Sequence, residues 1–231
     1  LRDRPGEKNP QRSTDHARMD QVGEGGRWKL LQSGPFWRLF SINFLCCASH
    51  SIPLLHVVSY ATDVGVAPMV AASILSVSGG TSIAGRIGMG AIADRMGVRR
   101  MLVAALALQG GMIFWLLGAR TAWSFYVFAI FFGIAYGGVM PLYAVLAREH
   151  YSEDVMGRIY GGILFGATMG MALGGFLGGV IFDAEGSYAL AYILSFVIGV
   201  IAVVIAALLK SPTRPRAEIQ KTFIPALSHE S

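Results

Sequence analysis

Long apolar runs separated by short polar connections occupy the chain from about residue 36 to residue 209. Each run has about twenty residues with almost no charge, which matches the hydrocarbon thickness of a bilayer. The pattern predicts six membrane-spanning helices at residues 36–60, 68–93, 101–118, 123–147, 159–182 and 188–209. Because lipid cannot satisfy free backbone groups, we expect an all-α integral membrane bundle in which neighbouring helices are antiparallel.

Composition agrees with this prediction, since 54% of residues are hydrophobic and only 14% are charged. The basic residues behind the net charge of +5 occur in the tails and short loops. We therefore expect membrane lipid, and no nucleic acid, as a partner. No metal spacing, phosphate loop or Ser-His-Asp set is present, so we predict no cofactor, no metal and no enzyme activity.

The chain is predicted to have three parts. Residues 1–34 are polar and basic and lack apolar periodicity, which indicates a disordered cytoplasmic linker or tail. Residues 35–210 form the membrane domain, and residues 211–231 form a second cytoplasmic tail. The first residue is Leu1, which indicates a fragment. There is no early apolar segment that would form a signal peptide.

Basic residues predict the orientation of the bundle. The loops after the second and fourth spans carry Arg95, Arg99, Arg100, Arg148 and Arg158, whereas the other short loops carry only Arg120. Positive loops stay on the cytoplasmic side. Both termini are therefore expected in the cytoplasm, and we assign the chain to a bacterial inner membrane.

Glycine recurs at every fourth residue of the fifth span, at Gly162, Gly166, Gly170, Gly174 and Gly178. Four-residue spacing places these positions on one helix face, where another backbone can approach closely. The favoured interpretation is tight helix packing. The alternative is a smooth surface on which helices slide during a conformational cycle.

Arg86 is the only Asp, Glu, Lys or Arg in the cores of the six predicted spans, since Arg38 lies at the very start of the first span. Such a cation costs about 2.5–3.5 kcal/mol at a helix centre and normally faces a bundle interior or a wet cavity. Ser78, Ser82 and Arg86 lie at i, i+4 and i+8, so they form one polar stripe that we expect to line water. The alternative is that Arg86 snorkels to lipid phosphates.

No acidic residue in these spans can pair with Arg86, so its partner is a ligand or a group outside this chain. The loop that follows has the pattern Gly90-xxx-Asp94-Arg95-x-Gly97-x-Arg99-Arg100. Gly97 permits a tight turn between two spans. The arginines favour a cytoplasmic position and can reach lipid phosphates, and Asp94 can accept hydrogen bonds.

This motif, in a short loop between two spans, resembles the signature loop of the major facilitator superfamily. The resemblance covers residues 36–209 as the carboxy-terminal six-helix half of that fold. The stretches "HVVSYATDVG", "GRIGMG" and "AREHYSEDVMGRIYGG" resemble its monocarboxylate and oxalate–formate branch. The resemblance implies that Arg86 contacts a substrate carboxylate and that Asp94 helps to latch the two halves together.

The chain departs from that branch at two positions. Proton-coupled animal members carry an aspartate where this chain has Ser82, and oxalate–formate exchangers carry a lysine in the helix that matches the fifth span. His56, Tyr60 and Tyr136 are further candidates for contacting the solute or, for the histidine, for carrying a coupled proton. Their alternative role is hydrogen bonding within the bundle or at the membrane interface.

The resulting hypothesis is one half of a secondary transporter that moves a small organic anion, a monocarboxylate, by alternating access. Its partners are an N-terminal six-helix half, the anion and a candidate coupled proton. Two alternatives stand. The solute is a drug or sugar and Arg86 is a gate residue, or the chain is a six-span scaffold or regulatory protein.

Overall fold

The computed structural model describes residues 33–151 and 153–209. They form six helices, α1 Gly34–Asp63, α2 Pro68–Met96, α3 Val98–Leu116, α4 Ala122–His150, α5 Glu153–Glu185 and α6 Ala189–Ala207. The predicted all-α six-helix fold is confirmed. The predicted tails lie outside the described residues, except for Ser33, which directly precedes α1, and Gly34, which is its first residue.

All six helices are long and apolar enough to cross a membrane. The shortest, α3 and α6, have 19 residues each, which corresponds to about 28 Å at the helical rise. Helix α5 begins at Glu153, well before the predicted span at residue 159. An apolar run indicates only the part of a helix that suits lipid, whereas backbone hydrogen bonding continues into the polar flank.

The connection between α2 and α3 is a single residue. Gly97 has a φ of 91°, which side chains with a Cβ rarely adopt. The turn reverses the chain, so α2 and α3 run in opposite directions. We call the end of the bundle that holds this turn and the α4–α5 connection the basic end, and the other the opposite end.

Helices α1 and α4 form the centre of the bundle. Helix α1 packs mainly on α5 and α6, whereas α4 packs mainly on α2 and α3, and contacts between α3 and α6 join the two groups. Helices α2 and α5 each pack chiefly on one neighbour. A large part of each therefore remains uncovered by the described residues.

The glycine-rich face of α5 lies on α1. A Cβ added to Gly170 would overlap the backbone oxygen of Phe44, and one added to Gly174 would overlap that of Ala48. Gly166 and Gly178 also face α1, whereas Gly162 is half-buried. The four-residue spacing of these glycines thus occurs where α5 approaches α1 closely. That the two helices slide along this face during a conformational cycle stays a prediction.

A second close contact joins α2 and α4. A Cβ on Gly137 of α4 would overlap the backbone oxygen of Ser82, and one on Gly85 of α2 would overlap that of Ile134. Small residues at such positions let two membrane helices approach closely, which favours van der Waals packing. This pair of helices therefore behaves as one packed unit.

Pro53 lies inside α1 and leaves one backbone carbonyl of that helix to be satisfied by α6. Because proline has no N–H, the carbonyl of Ser49, four residues earlier, loses its helical donor. The Ser195 hydroxyl donates to that carbonyl at 2.6 Å, and the Ser49 hydroxyl donates to the Ser195 carbonyl at 2.7 Å. The reciprocal pair satisfies both buried serines.

Candidate functional site

Arg86 lies four residues from the middle of α2, about 6 Å along the helix axis, and its side chain is exposed. Within the part of the chain that the structure describes, it makes no hydrogen bond or ion pair. A guanidinium group at this depth needs water or an anion. The exposed side of α2 next to Arg86 is therefore the candidate site.

Ser78 and Ser82 have a different environment from Arg86. Each is only 4% exposed, and both lie where α4 approaches α2 through Gly133 and Gly137. The Ser82 hydroxyl donates to the carbonyl of Gly79, in the preceding turn, at 2.7 Å. The predicted polar stripe is thus divided between a helix interface and an uncovered surface, and its contact with water stays a prediction.

Tyr136 connects the uncovered region with the interior. Its ring is half-buried on α4, parallel to that of Phe132 at 6.3 Å, and it meets the ring of His50 edge-on at 5.0 Å. His50 itself is 1% exposed. Tyr136 therefore belongs to a continuous aromatic and polar contact between α4 and α1.

His56 and Tyr60 hold helices together at the opposite end. His56 Nε2 is 3.1 Å from the carbonyl oxygen of Gly175 on α5. The Tyr60 hydroxyl contacts the carbonyl oxygens of Leu116 and Ala119 at 3.2 and 3.3 Å. Both polar groups are therefore already used within the bundle.

Further contacts surround Tyr60. The Arg120 side chain donates to its hydroxyl oxygen, and the ring packs on that of Tyr188 with centroids 6.2 Å apart. Burial raises the pKa of the Tyr188 hydroxyl above its ordinary value. The group accordingly stays protonated and neutral at physiological pH.

The basic end holds the loop motif. Gly90, Asp94 and Arg95 lie on the last turns of α2, and Arg100 is exposed just beyond the turn at Gly97. Arg99 donates to the carbonyl oxygen of Ala207, which belongs to the last turn of α6. The motif thereby connects the α2–α3 turn with the end of a third helix.

A hydrogen bond of 2.7 Å between the hydroxyls of Ser33 and Tyr151 joins the start of α1 to the α4–α5 connection at the same end. Burial raises the pKa of the Tyr151 hydroxyl, so it remains protonated. In the described part of the chain, no cluster of three or more His, Cys, Asp or Glu side chains is arranged to hold a metal ion.

The largest feature that sequence reasoning missed is a polar core around Cys46. His50 Nδ1 lies 3.9 Å from Cys46 Sγ, and Gln109 Nε2 of α3 donates to the same sulfur at 3.7 Å. Both side chains are almost fully buried. The available signal was a run of polar residues at the centre of the first apolar span.

Residues 39–229 match the sequence profile of the Major Facilitator Superfamily. The chain belongs to this family. Facilitators are transporters, and with its six long apolar helices this one is a multi-pass integral membrane protein. The predicted membership in the superfamily is confirmed.

This facilitator chain is also similar to a curated protein, Monocarboxylate transporter 13 of Rattus norvegicus. The two are 29% identical over 150 residues, which cover 62% of this chain and 34% of the rat protein. The facilitator chain therefore spans about a third of the matched relative's length.

Proposed function

We propose that this chain is one six-helix half of a secondary transporter that moves a small organic anion, in the first place a monocarboxylate, by alternating access. The observation that carries the proposal is an arginine near the middle of a membrane helix, exposed and without a partner among the described residues. The likeness to a protein named as a monocarboxylate transporter supports the choice of anion.

Arginine suits this task for chemical reasons. Its guanidinium stays charged at every accessible pH and offers a planar fork of donors that matches a carboxylate. In a site from which most water is excluded, such a charge-assisted pair is stronger than a neutral hydrogen bond. A neutral sugar would leave the cation uncompensated.

The second wall of the site is an N-terminal six-helix half, which faces α2. Transporters built from structural repeats bind their solutes near the bilayer midplane between the repeats. Ser78 and Ser82 support the site by fixing α2 against α4, and Tyr136 offers a hydroxyl from α4. His56 and Tyr60 maintain the opposite end, where their polar atoms already have partners.

The basic end is the cytoplasmic end in this proposal, with both chain termini on that side of a bacterial inner membrane. Asp94 and the arginines of the loop hold the two halves together there when the site opens to the other side. The α1–α5 contact, with its glycines, moves as a unit as the halves rock.

Transport by Arg86 variants tests the proposal. Uptake of radiolabelled lactate, pyruvate and acetate is measured with the complete transporter in proteoliposomes. Arg86→Lys is expected to weaken uptake, because an ammonium keeps the charge and loses the fork, and Arg86→Ala is expected to abolish it. Arg38→Ala, which removes an exposed arginine near the start of α1, serves as the matched control and retains uptake.

Folding is checked by size-exclusion chromatography of each variant. Normal monocarboxylate uptake by a folded Arg86→Ala variant would overturn the role of this residue. Failure of the wild type to move any of the three acids, with transport of sugars or drugs instead, would support the gate interpretation of Arg86. Absence of transport of every class would favour a scaffold.

A further inference from the structure

A group of polar side chains meets in the centre of the bundle, where α1, α3 and α4 come together. The Cys46 sulfur lies 3.9 Å from His50 Nδ1 and accepts from Gln109 Nε2 at 3.7 Å. The Tyr143 side chain approaches the same sulfur from α4. We call these four residues the polar cluster. None of them is more than 2% exposed, so the cluster is closed to bulk solvent.

Three atoms of the polar cluster have no hydrogen-bond partner among the described residues: His50 Nε2, Gln109 Oε1 and the Tyr143 hydroxyl. Moving the ring proton of His50, or exchanging the amide oxygen and nitrogen of Gln109, would leave the same two positions unpaired. In each of these groups the other heteroatom faces the sulfur. The unpaired positions therefore belong to the place where three helices meet, and do not depend on how one side chain is assigned.

The other buried polar side chains on this part of α1 are satisfied within the bundle. Asn43 Nδ2 donates to the Ile163 carbonyl at 3.3 Å, and the Cys47 thiol donates to Asn43 Oδ1 at 3.6 Å. Ser49 and Ser195 each donate to the other's carbonyl. Along the described centre of α1, unpaired side-chain atoms are thus confined to the polar cluster, which points to an occupant at that place.

Chemistry favours water as this occupant. A buried polar atom without a partner costs free energy, and such atoms in native proteins usually contact ordered water, which typically makes about three hydrogen bonds. The three unpaired atoms complement a water molecule, since Gln109 Oε1 accepts, the Tyr143 hydroxyl donates or accepts, and His50 Nε2 does either according to its tautomer. The cluster contains no carboxylate, ammonium or guanidinium group, so an ion there would remain uncompensated.

We propose that the polar cluster is a water-binding site in which one molecule bridges His50 Nε2, Gln109 Oε1 and the Tyr143 hydroxyl. The water joins α1, α3 and α4 near the middle of the membrane, where these three atoms make no direct hydrogen bond with the described residues. The site lies apart from the exposed surface of α2 beside Arg86. It therefore goes beyond the proposed transport and does not depend on which solute is carried.

Radiolytic footprinting of the complete protein, purified in detergent, detects the water directly. A short X-ray pulse splits water into hydroxyl radicals, which oxidise the side chains beside a bound molecule before they can diffuse away, and mass spectrometry locates the added oxygen. The Cys46 thiol is expected to be oxidised far more than that of Cys47. Cys47 is the matched control, because it is also buried and is bonded to Asn43 instead.

Absence of oxidation at Cys46 would overturn the proposal, because radicals form only where water is present. Equal oxidation of the two thiols would overturn it as well, since bulk water would then enter this part of α1. In the double variant Tyr143→Phe, Gln109→Leu, two of the three partners of the water are gone. Oxidation of Cys46 should then fall to the level of Cys47, and persistence at the wild-type level would contradict the bridge.

Thermal unfolding of Tyr143→Phe tests the hydroxyl through the sign of its effect. In a dry core, loss of an unpaired hydroxyl removes a desolvation penalty, so Tm stays the same or rises. With water bound, the substitution deletes a hydrogen bond and leaves the water with fewer partners, so Tm is expected to fall. Tyr192→Phe is the matched control, because its hydroxyl is also buried and unpaired but lies in a different core cluster. An unchanged or raised Tm for Tyr143→Phe would overturn the proposal.

A double-mutant cycle tests if Gln109 and Tyr143 share one water. The double variant Tyr143→Phe, Gln109→Leu is expected to lose less Tm than the sum of the two single variants, because the second change acts on a water that is already lost. Additive losses would mean that the two side chains do not share a molecule, and the bridge would then have to be abandoned.

Discussion

Helices α2 and α6 leave large surfaces uncovered, yet these surfaces differ in chemistry. The exposed side chains of α6 are aliphatic throughout, and so is that of Leu208 just after it: Ala189, Leu190, Ile193, Val197, Val200, Ile201, Val204 and Ala207. The exposed side of α2 mixes apolar residues with Ser76, Gly79, Gly80 and Arg86 in its central turns. The two membrane helices thus present different surfaces to their surroundings.

The exposed surface of α6 suits lipid, because aliphatic side chains lose no favourable interaction when acyl chains surround them. The surface of α2 does not, because a guanidinium near mid-helix is costly in hydrocarbon. One side of α2 therefore faces water or protein. The difference between the helices supports the proposed solute path along α2 and a lipid boundary at α6.

A matched pair of lysine substitutions tests this assignment with the largest expected effect. Val197 and Ile83 are 47% and 59% exposed and lie at the middle of α6 and α2. Val197→Lys should cost about 2.5–3.5 kcal/mol, because it places a charge in lipid. Ile83→Lys should have a much smaller free-energy cost, because this side of α2 is proposed to face water or protein. The amount of folded protein in membranes, read by fluorescence-detected size exclusion, gives the comparison.

Wild-type protein and the alanine variants at the same two positions control for loss of the aliphatic side chain. Equal losses for the two lysine variants would mean that α2 faces lipid next to Arg86. The path assigned to that surface would then have to be abandoned.

Much of the fold was predictable because the bilayer restricts it. A run of about twenty apolar residues has essentially one solution in lipid, a helix, and Gly97 predicted the α2–α3 turn. The start of α5 was not predictable in the same way, since residues 154–158 mix charged and apolar residues and continue the helix outside the long apolar run.

The candidate site was predictable only in part. Arg86 stands out because a charge inside an apolar run has few explanations. The environment of Ser82 depends on Gly137, which lies on another helix, and spacing within α2 says which residues share a face but not which neighbour covers it. Likewise, Gln109 and Cys46 meet only when α3 packs beside α1.

Glycine-to-alanine substitutions sharpen the contrast between the covered and uncovered sides of α2. Gly137→Ala should lower stability by about 1–3 kcal/mol, because its Cβ would overlap the backbone oxygen of Ser82 and force two helices apart. Gly80→Ala has nothing within 4 Å of its Cβ and should be neutral or slightly stabilising. Thermal unfolding of the purified variants in one detergent measures both.

A large loss of stability for Gly80→Ala would reveal that the exposed side of α2 is itself packed, for example by the proposed N-terminal half. In that case the surface around Gly80 would be part of a protein contact, and less of α2 would face water. Tolerance of Gly137→Ala would contradict the close α2–α4 contact.

The covered side of α6 offers the smallest expected effect. Ser195→Ala removes the donor to the Ser49 carbonyl, which Pro53 leaves without a helical partner. Hydrogen bonds between membrane helices contribute about 0.6 kcal/mol on average and rarely above about 2 kcal/mol, so thermal unfolding should shift modestly. Thr168→Ala, which removes an exposed hydroxyl bonded within its own helix to Leu164, should shift less. If the two variants unfold alike, polar pairing contributes nothing to the α1–α6 contact, and the aliphatic side chains of α6 account for its position.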